Sequence, residues 1–283
     1  MDYKLLSKPN TNYKLIKNKK VGVDTWSLSL AHSDISGFNV CPMASKINSE
    51  NKFDKSHLIK DQKKKKAYLK KLSNCSSCCV ANNGNAQIFS SVMEARIKKT
   101  LAFKLDTDAF LDALVVEIST AINESVRNGN IPTFRLNTYS DIRWELYKIE
   151  GLNIFELFPN ITFYDYSKIP NRRVPKNYEI TYSFWGNLNH LQKALNNNQN
   201  VAIVFEELPK TFLGRKVVNG DLTDLRTIEN DGKNVIVGLK FKGSKAKLKD
   251  AIIEGFAIPK KINKILTHKL NLVNYNINNL GAY

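Results

Sequence analysis

No stretch of this 283-residue chain offers the roughly 18 consecutive apolar residues that a bilayer-spanning helix needs. No basic, apolar and small-residue leader opens it either, so the expected compartment is the cytosol, where cysteines stay reduced. The sequence contains no G-x-G-x-x-G and no Walker motif, which removes the usual signatures of dinucleotide or nucleotide binding on an open sheet. Its four histidines, His32, His57, His190 and His268, are dispersed. They form no metalloprotease or two-histidine nuclease pattern, and there is no nucleophile elbow. Internal repeats are absent. Acidic residues are scarce: 26 Asp and Glu face 43 Lys and Arg, for a formal charge of +17. Such an excess points to a polyanionic partner. The competing reading is compositional, an Asn- and Lys-rich chain translated from an AT-rich genome.

The distribution of charge favours a partner. Residues 52–71, KFDKSHLIKDQKKKKAYLKK, hold nine lysines and two aspartates. Lys240, Lys242, Lys245, Lys247 and Lys249 form a second block. Like charges in a block repel unless something neutralises them. Phosphates would do so, and binding through Lys63, Lys64, Lys65, Lys66, Lys240, Lys242, Lys245 and Lys247 would depend steeply on salt.

A hydrophobic content of 42% is enough for a substantial core without disulfide staples. Residues 1–20 are polar and basic and read as an N-terminal arm. Residues 21–260 read as a single α/β domain with a lysine-rich insertion at 42–74, and 261–283 as a basic, Asn-rich extension. The run VGVDTWSLSL at 21–30 has the β-branched and aromatic content of a first strand. From Ile88 the period becomes helical, with Ile88, Phe89, Val92, Met93 and Ala95 apolar and Arg96 and Lys99 at the solvent boundary. A clearer helix has Phe110, Leu114, Ile118, Ile122 and Val126 at every fourth place, widened by Leu111 and Val115. Asp106 would cap it and RNGN at 127–130 would end it.

Short apolar segments then alternate with polar connections: IPTFRLN at 131–137, NITFYDY at 160–166, YEITYSF at 178–184 and NVAIVFEE at 200–207. Helices fit 142–154 and 187–197, and further strands fit 216–218, 235–241 and 255–258. The alternation predicts a mostly parallel sheet. A complete or partial (β/α) TIM-like barrel is expected, with a doubly wound open sheet as the competitor.

Three of the four cysteines fall in NCSSCCVANNG at 74–84. Cys75-x-x-Cys78 can turn two thiolates toward one ion, Cys79 adds a third sulfur if the backbone turns sharply, and Cys41 would return across the basic loop. Four soft ligands suit zinc or an iron-sulfur cluster. The single upstream cysteine departs from paired zinc spacing. Ordinary buried thiols, or disulfide and thiol chemistry, are the alternatives.

Polar residues also gather at the predicted strand ends. In FRLNTYSDIRWE, Arg135, Asn137, Tyr139 and Asp141 sit at or past the end of a strand, where barrel loops build sites. Asp141 can instead cap the helix expected from Ile142. In FYDYSKIPNRR, Asp165 can bind substrate or metal, or pair with Arg172 or Arg173. Arg135, Asn137, Asp141 and Asp165 are the candidate catalytic set. Tyr182, Ser183 and Trp185 can form a stacking wall or rim packing. Glu206, Glu207, Asp221 and Asp224, with Arg226, can hold a hard cation or form a charged turn, and Gly243 and Ser244 make a turn between lysines suited to phosphate.

Taken in order, the cysteine segment followed by EARIKKT, FRLNTYSDIRWE, ITFYDYSKIPNR, NVAIVFEELP, NGDLTDLR and VIVGLKFKG resembles the gene product 88-like proteins carried by bacteriophages and plasmids. The resemblance covers roughly residues 20–258. That family is distantly similar to barrels of the radical S-adenosylmethionine type, which group cysteines after the first strand. The resemblance implies a cluster site at Cys41, Cys75, Cys78 and Cys79, a polar floor including Arg135, Asn137, Asp141 and Asp165, and S-adenosylmethionine as a cofactor. It also implies the cytoplasm of a phage-infected or plasmid-bearing bacterium. The long insertion after Cys41 departs from the closely spaced three-cysteine pattern and counts against cofactor cleavage. Three functions stand: a nucleic-acid-associated protein with a metal or iron-sulfur centre, an iron-sulfur barrel enzyme acting on nucleotide or nucleic acid, and a non-catalytic phage structural or host-interaction protein.

Overall fold

The computed structural model describes residues 3–11, 13–44, 79, 90–261 and 270. The described chain is a mixed α/β fold in two compact units. One comprises Met1–Asp165 with Val174–Tyr178, and the other comprises Tyr166–Arg173 with Glu179–Tyr283. The sequence led us to expect a single domain over 21–260; the division passes through two strands, β6 (Thr162–Ser167) and β7 (Tyr178–Ser183).

In the first unit, β1 (Leu6–Ser7) runs antiparallel to β2 (Val23–Leu28), and α1 (Tyr13–Lys19) lies between them in sequence. The described part of residues 1–20, expected as an arm, carries these two elements. Leu5, Leu6 and Leu15 are buried, and the carboxylate of Glu117 accepts from the backbone N–H of Leu5 at 2.7 Å and of Leu6 at 2.9 Å. β2 is buried along its whole length and pairs in parallel with β3 (Ile131–Arg135), which pairs in parallel with β6.

Two helices connect to β3: α2 (Ser90–Leu105) and α3 (Thr107–Arg127). Asp106 caps α3 as expected, accepting from Ala109 N at 3.1 Å. Its buried stripe begins with Phe110, Leu111, Leu114 and Ile118 but continues through Ala121 and Ser125, leaving Val126 61% exposed. A strict four-residue spacing overshoots the 3.6-residue turn, so the expected stripe drifts off the core within three turns. On α2 the difference is larger. The buried face is Arg96, Thr100 and Phe103, while Val92 and Ala95 are exposed.

The helix expected over 142–154 is instead a 3₁₀ turn at Trp144–Leu146, a hairpin of β4 (Lys148–Ile149) with β5 (Leu152–Asn153), and α4 (Ile154–Leu157). Aromatic packing decides this. Trp144 lies 4.9 Å from Phe103 and 6.3 Å from Phe110, centre to centre, and its indole N–H donates to Leu136 O. Asn153 and Glu156 then form a capping box that starts α4.

In the second unit, β8 (Val201–Phe205) is central. It pairs in parallel with β7, with β11 (Ile236–Lys240) and with β12 (Ala257–Ile258). Its continuous apolar run is covered on both faces, as parallel sheets require. Leu191, Ala194 and Leu195 of α5 (Leu188–Asn196) lie with Ile203 and Phe205 in one cluster, and Ala202 lies with Val235 and Val237 in another. β10 (Arg215–Asn219) pairs in parallel with β11 and antiparallel with β9 (Thr211–Phe212), across a turn in which Leu213 and Gly214 both have positive φ. α6 (Ile228–Asp231) and α7 (Lys245–Ile253) complete this unit.

Among the described residues the sheet is large and mostly parallel, and no strand pairing closes it into the expected barrel. In each unit an antiparallel strand ends the strand order, β1 on β2 and β9 on β10. Among the described residues no helix is long and apolar enough to cross a membrane.

Candidate functional site at the carboxyl ends of β3 and β6

The carboxyl end of β3 passes into loop 136–142, and Asp165 of β6 holds its first turn. The fully buried Asp165 carboxylate accepts from Leu136 N at 3.0 Å, from Asn137 N at 3.1 Å and from the Tyr178 hydroxyl at 3.1 Å. The Nε of Arg135, also buried, lies 3.7 Å from Asp165 Oδ1. Arg135, not Arg172 or Arg173, is therefore the ion partner of Asp165. Burial pushes the Asp165 carboxyl up to about 7, against the opposing pull of Arg135, the two backbone N–H groups and Tyr178.

Asn137 locks the rest of the loop. Its amide donates to Ile142 O at 2.9 Å and to the Tyr178 hydroxyl at 3.2 Å, and its carbonyl accepts from Ile142 N and the Ser140 hydroxyl, both at 2.8 Å. Asp141 is buried beside it, and its backbone N–H donates to Val40 O at 2.8 Å. No helix begins at Ile142 for Asp141 to cap. Arg135, Asn137 and Asp165 thus meet in one network, with Asp141 on the same loop. The hydrogen bonds of Asn137 and Asp165 go to the loop backbone and to Ser140 and Tyr178, so the chemistry these two support is positioning. They fix where Thr138 and Tyr139 emerge.

A second network lies below, among β2, β3 and β6. Asn18 donates to Thr25 Oγ1 at 2.9 Å and to Tyr164 OH at 3.0 Å, and Thr25 meets Thr133 at 2.8 Å. Buried polar groups satisfied in this way specify one register.

Cys41 joins the site through Tyr139. Its thiol donates to Tyr139 O at 3.4 Å and its sulfur accepts from Ser33 N at 3.2 Å. Ser33 is buried with φ of 55°, a left-handed conformation that non-glycine residues rarely adopt and that aims this N–H at the sulfur. On the other side, the Arg96 guanidinium carbon sits 3.8 Å from the centre of the Tyr139 ring. Loop 31–41, loop 136–142 and α2 therefore meet at Tyr139. Cys79 is half-buried, and Cys75 and Cys78 lie outside the described residues. Among the described residues no group of three or more His, Cys, Asp or Glu side chains converges as a metal site.

The lysine blocks divide similarly. Lys63, Lys64, Lys65 and Lys66 lie outside the described residues. Lys240, Lys242, Lys245 and Lys247 are exposed, but Asp221 accepts from Lys240 N at 2.9 Å and from Lys242 Nζ at 2.6 Å. The turn expected around Gly243 and Ser244 is the start of α7, with Ser244 as its N-cap. The acidic residues expected as a cation site are dispersed in structural roles. Glu206 accepts from Lys260 N, Glu207 pairs with Lys260 Nζ at 2.6 Å, and buried Arg226 lies 3.3 Å from Asp231. Ser183 accepts from Lys168 Nζ at 2.9 Å, and Trp185 packs edge-on against His190.

Three residues of the site escape sequence reasoning. Tyr178 reads only as a strand aromatic and Ser33 as a loop serine, while Arg96 has the spacing of a boundary residue but faces inward.

Parallel strands with polar loops at their carboxyl ends define a mixed α/β protein, with the candidate site on a strand-end connection. Within that class the chain belongs to the gene product 88 family, whose model matches residues 4–255. The match takes in both strand-end loops, α2 and the cysteine segment. No curated protein and no solved structure matches the chain.

Proposed function

We propose that this family member is a phage-type, nucleic-acid-associated protein with a cysteine-ligated metal or iron-sulfur centre at the strand-end site. Cys41, Cys75 and Cys78 are its ligands, and Cys79 is a further sulfur donor. The observation that carries the reading is the placement of Cys41. Its sulfur is held at the carboxyl end of the sheet by a strained Ser33 N–H, beside a loop that Asp165 and Asn137 pin in place. The donor chemistry fits. An N–H aimed at sulfur stabilises a thiolate ligand and tunes a cluster, and the thiol proton now facing Tyr139 O is the one ligation would release. A bound centre would supply soft-ligand structural stabilisation or one-electron chemistry. The net charge of +17 supports a polyanionic partner. The exposed lysines on and before α7, with the block at 63–66, would meet phosphates without reading sequence.

The second reading, a barrel-type iron-sulfur enzyme acting on a nucleotide or nucleic acid, draws support from strand order. β2, β3 and β6 neighbour one another in chain order and in parallel, as do β7, β8 and β11. Sequential parallel neighbours are the pattern of a partial (β/α) barrel. S-adenosylmethionine enters only under this reading. Both are tested by an absorption spectrum and elemental analysis of anaerobically purified protein, with Cys75→Ser and Cys78→Ser alongside. Stoichiometric zinc that falls in both variants keeps the first reading and removes the enzyme, whereas iron and sulfide that fall in both keep the enzyme reading open. Protein without metal, whose metal content no cysteine variant alters, defeats both.

A further inference from the structure

Arg96 is a cation nine-tenths buried without a counter-charge. Its exposure is 8%, its Nη1 is buried with no hydrogen-bond partner, and among the described residues it forms no ion pair. What covers it is the Tyr139 ring, at 3.8 Å from the guanidinium carbon. A stacked aromatic stabilises a guanidinium through its face but leaves the in-plane N–H donors unsatisfied. A buried charge left in that state is unfavourable, as when one partner of a buried pair is removed. One residue before Tyr139, Thr138 Oγ1 is likewise buried with no hydrogen-bond partner, while its backbone N–H is engaged with Leu28 O at 3.3 Å. A guanidinium nitrogen stacked over the ring at which three segments meet, and the hydroxyl of the residue just before that ring, are therefore both buried without a hydrogen-bond partner.

We infer that Arg96 and Thr138 form an oxyanion-binding site at the carboxyl end of β3, taking the phosphate or carboxylate group of a small ligand. Charge selects an anion, because Arg96 cannot be neutralised by losing its proton. Fork geometry selects an oxyanion over chloride, because two parallel N–H donors match two oxygens of one group. Thr138 supplies a third hydrogen bond from its hydroxyl. The pinned loop 136–142 keeps the site preorganised, since Asn137 and Asp165 bind its backbone whether or not a ligand is present. The site stands on Arg96 and Thr138 and does not require a metal at Cys41, although its ligand would sit on the same loop that receives the Cys41 thiol.

Thermal unfolding of the full chain tests this, with inorganic phosphate, adenosine monophosphate and acetate titrated separately at ionic strength matched by sodium chloride. The expected result is a saturable rise in Tm with at least one oxyanion, absent in Arg96→Gln. A lower midpoint for both phosphate compounds than for acetate identifies a phosphate ligand, and the reverse order identifies a carboxylate. Without any oxyanion, Arg96→Gln should melt at or above the wild-type temperature, because the substitution removes an uncompensated buried charge. Arg96→Lys should weaken binding about tenfold or more, since a point charge lacks the fork. If Arg96→Gln does not fold, Thr138→Val carries the test and should raise the midpoint concentration. Equal responses of wild type and variants, or no response of the wild type to any oxyanion, overturn the site. Metal content measured on the same samples keeps the two ideas apart, because Arg96→Gln should lose oxyanion binding while keeping whatever metal the wild type holds.

Discussion

Asp165→Asn is the substitution whose effect should change sign with pH. In the folded protein burial raises this carboxyl to about 7, whereas in the unfolded chain it titrates near the ordinary value of about 3.9. Below about pH 3.9 both states are protonated and the stability that Asp165 contributes is fully present. As pH rises the unfolded chain ionises first and the folded state holds the extra proton, so stability falls by about 1.4 kcal/mol per unit until pH passes about 7. The accumulated loss is about 4 kcal/mol at most. Asparagine has nothing to titrate, but its amide would face Asn137 N–H where Asp165 Oδ1 now accepts at 3.1 Å, at a cost of about 1 to 3 kcal/mol. Urea denaturation of both proteins at pH 4.5, 6 and 8 should show wild type ahead at the lowest pH and level with or behind the variant at the highest. Groups that titrate alike in both proteins cancel in the difference. A wild-type advantage that widens with pH would mean an ionised Asp165 held below the usual carboxylate range by Arg135 and the loop N–H groups, and would refute the reasoning.

Other consequences follow from packing and charge. Leu114 is fully buried on α3, so Leu114→Ala should cost about 2 to 5 kcal/mol in equilibrium unfolding. Arg215 donates to Leu195 O at 2.6 Å and to Gln199 O at 2.7 Å just past α5, so Arg215→Ala should cost about 1 to 3 kcal/mol and raise amide exchange at that helix end. Neutralising Lys63, Lys64, Lys65 and Lys66 together should weaken nucleic-acid binding across sequences and lower the salt slope by about 0.9 per lost duplex phosphate contact. Titrations at several salt concentrations check this, and an unchanged slope would separate that block from binding.

What the sequence revealed tracks how local the determining interaction is. β2, β8 and β11 were legible because a run such as AIVF needs cover on both faces wherever it sits. α3 was legible from Asp106 and its apolar spacing. The 142–154 segment was misread because its fate is set by distant aromatics: Trp144 packs on Phe103 and Phe110, which the spacing of WELYKIE does not report. Arg96 was misread for a related reason, since the Tyr139 ring it stacks on is distant in sequence. At the strand ends, residue type drew attention to Arg135, Asn137 and Asp165, and the structure joins the three in one positioning network. Their roles were not legible, because hydrogen bonds directed to backbone leave no trace in composition.

X-ray absorption at the metal edge of anaerobically purified protein, for wild type and Cys41→Ser, tests the central proposal most directly. The account predicts a stoichiometric metal with a sulfur shell at about 2.3 Å that loses one scatterer in Cys41→Ser. A metal-free wild type, or a sulfur shell that Cys41→Ser leaves unchanged, would contradict it.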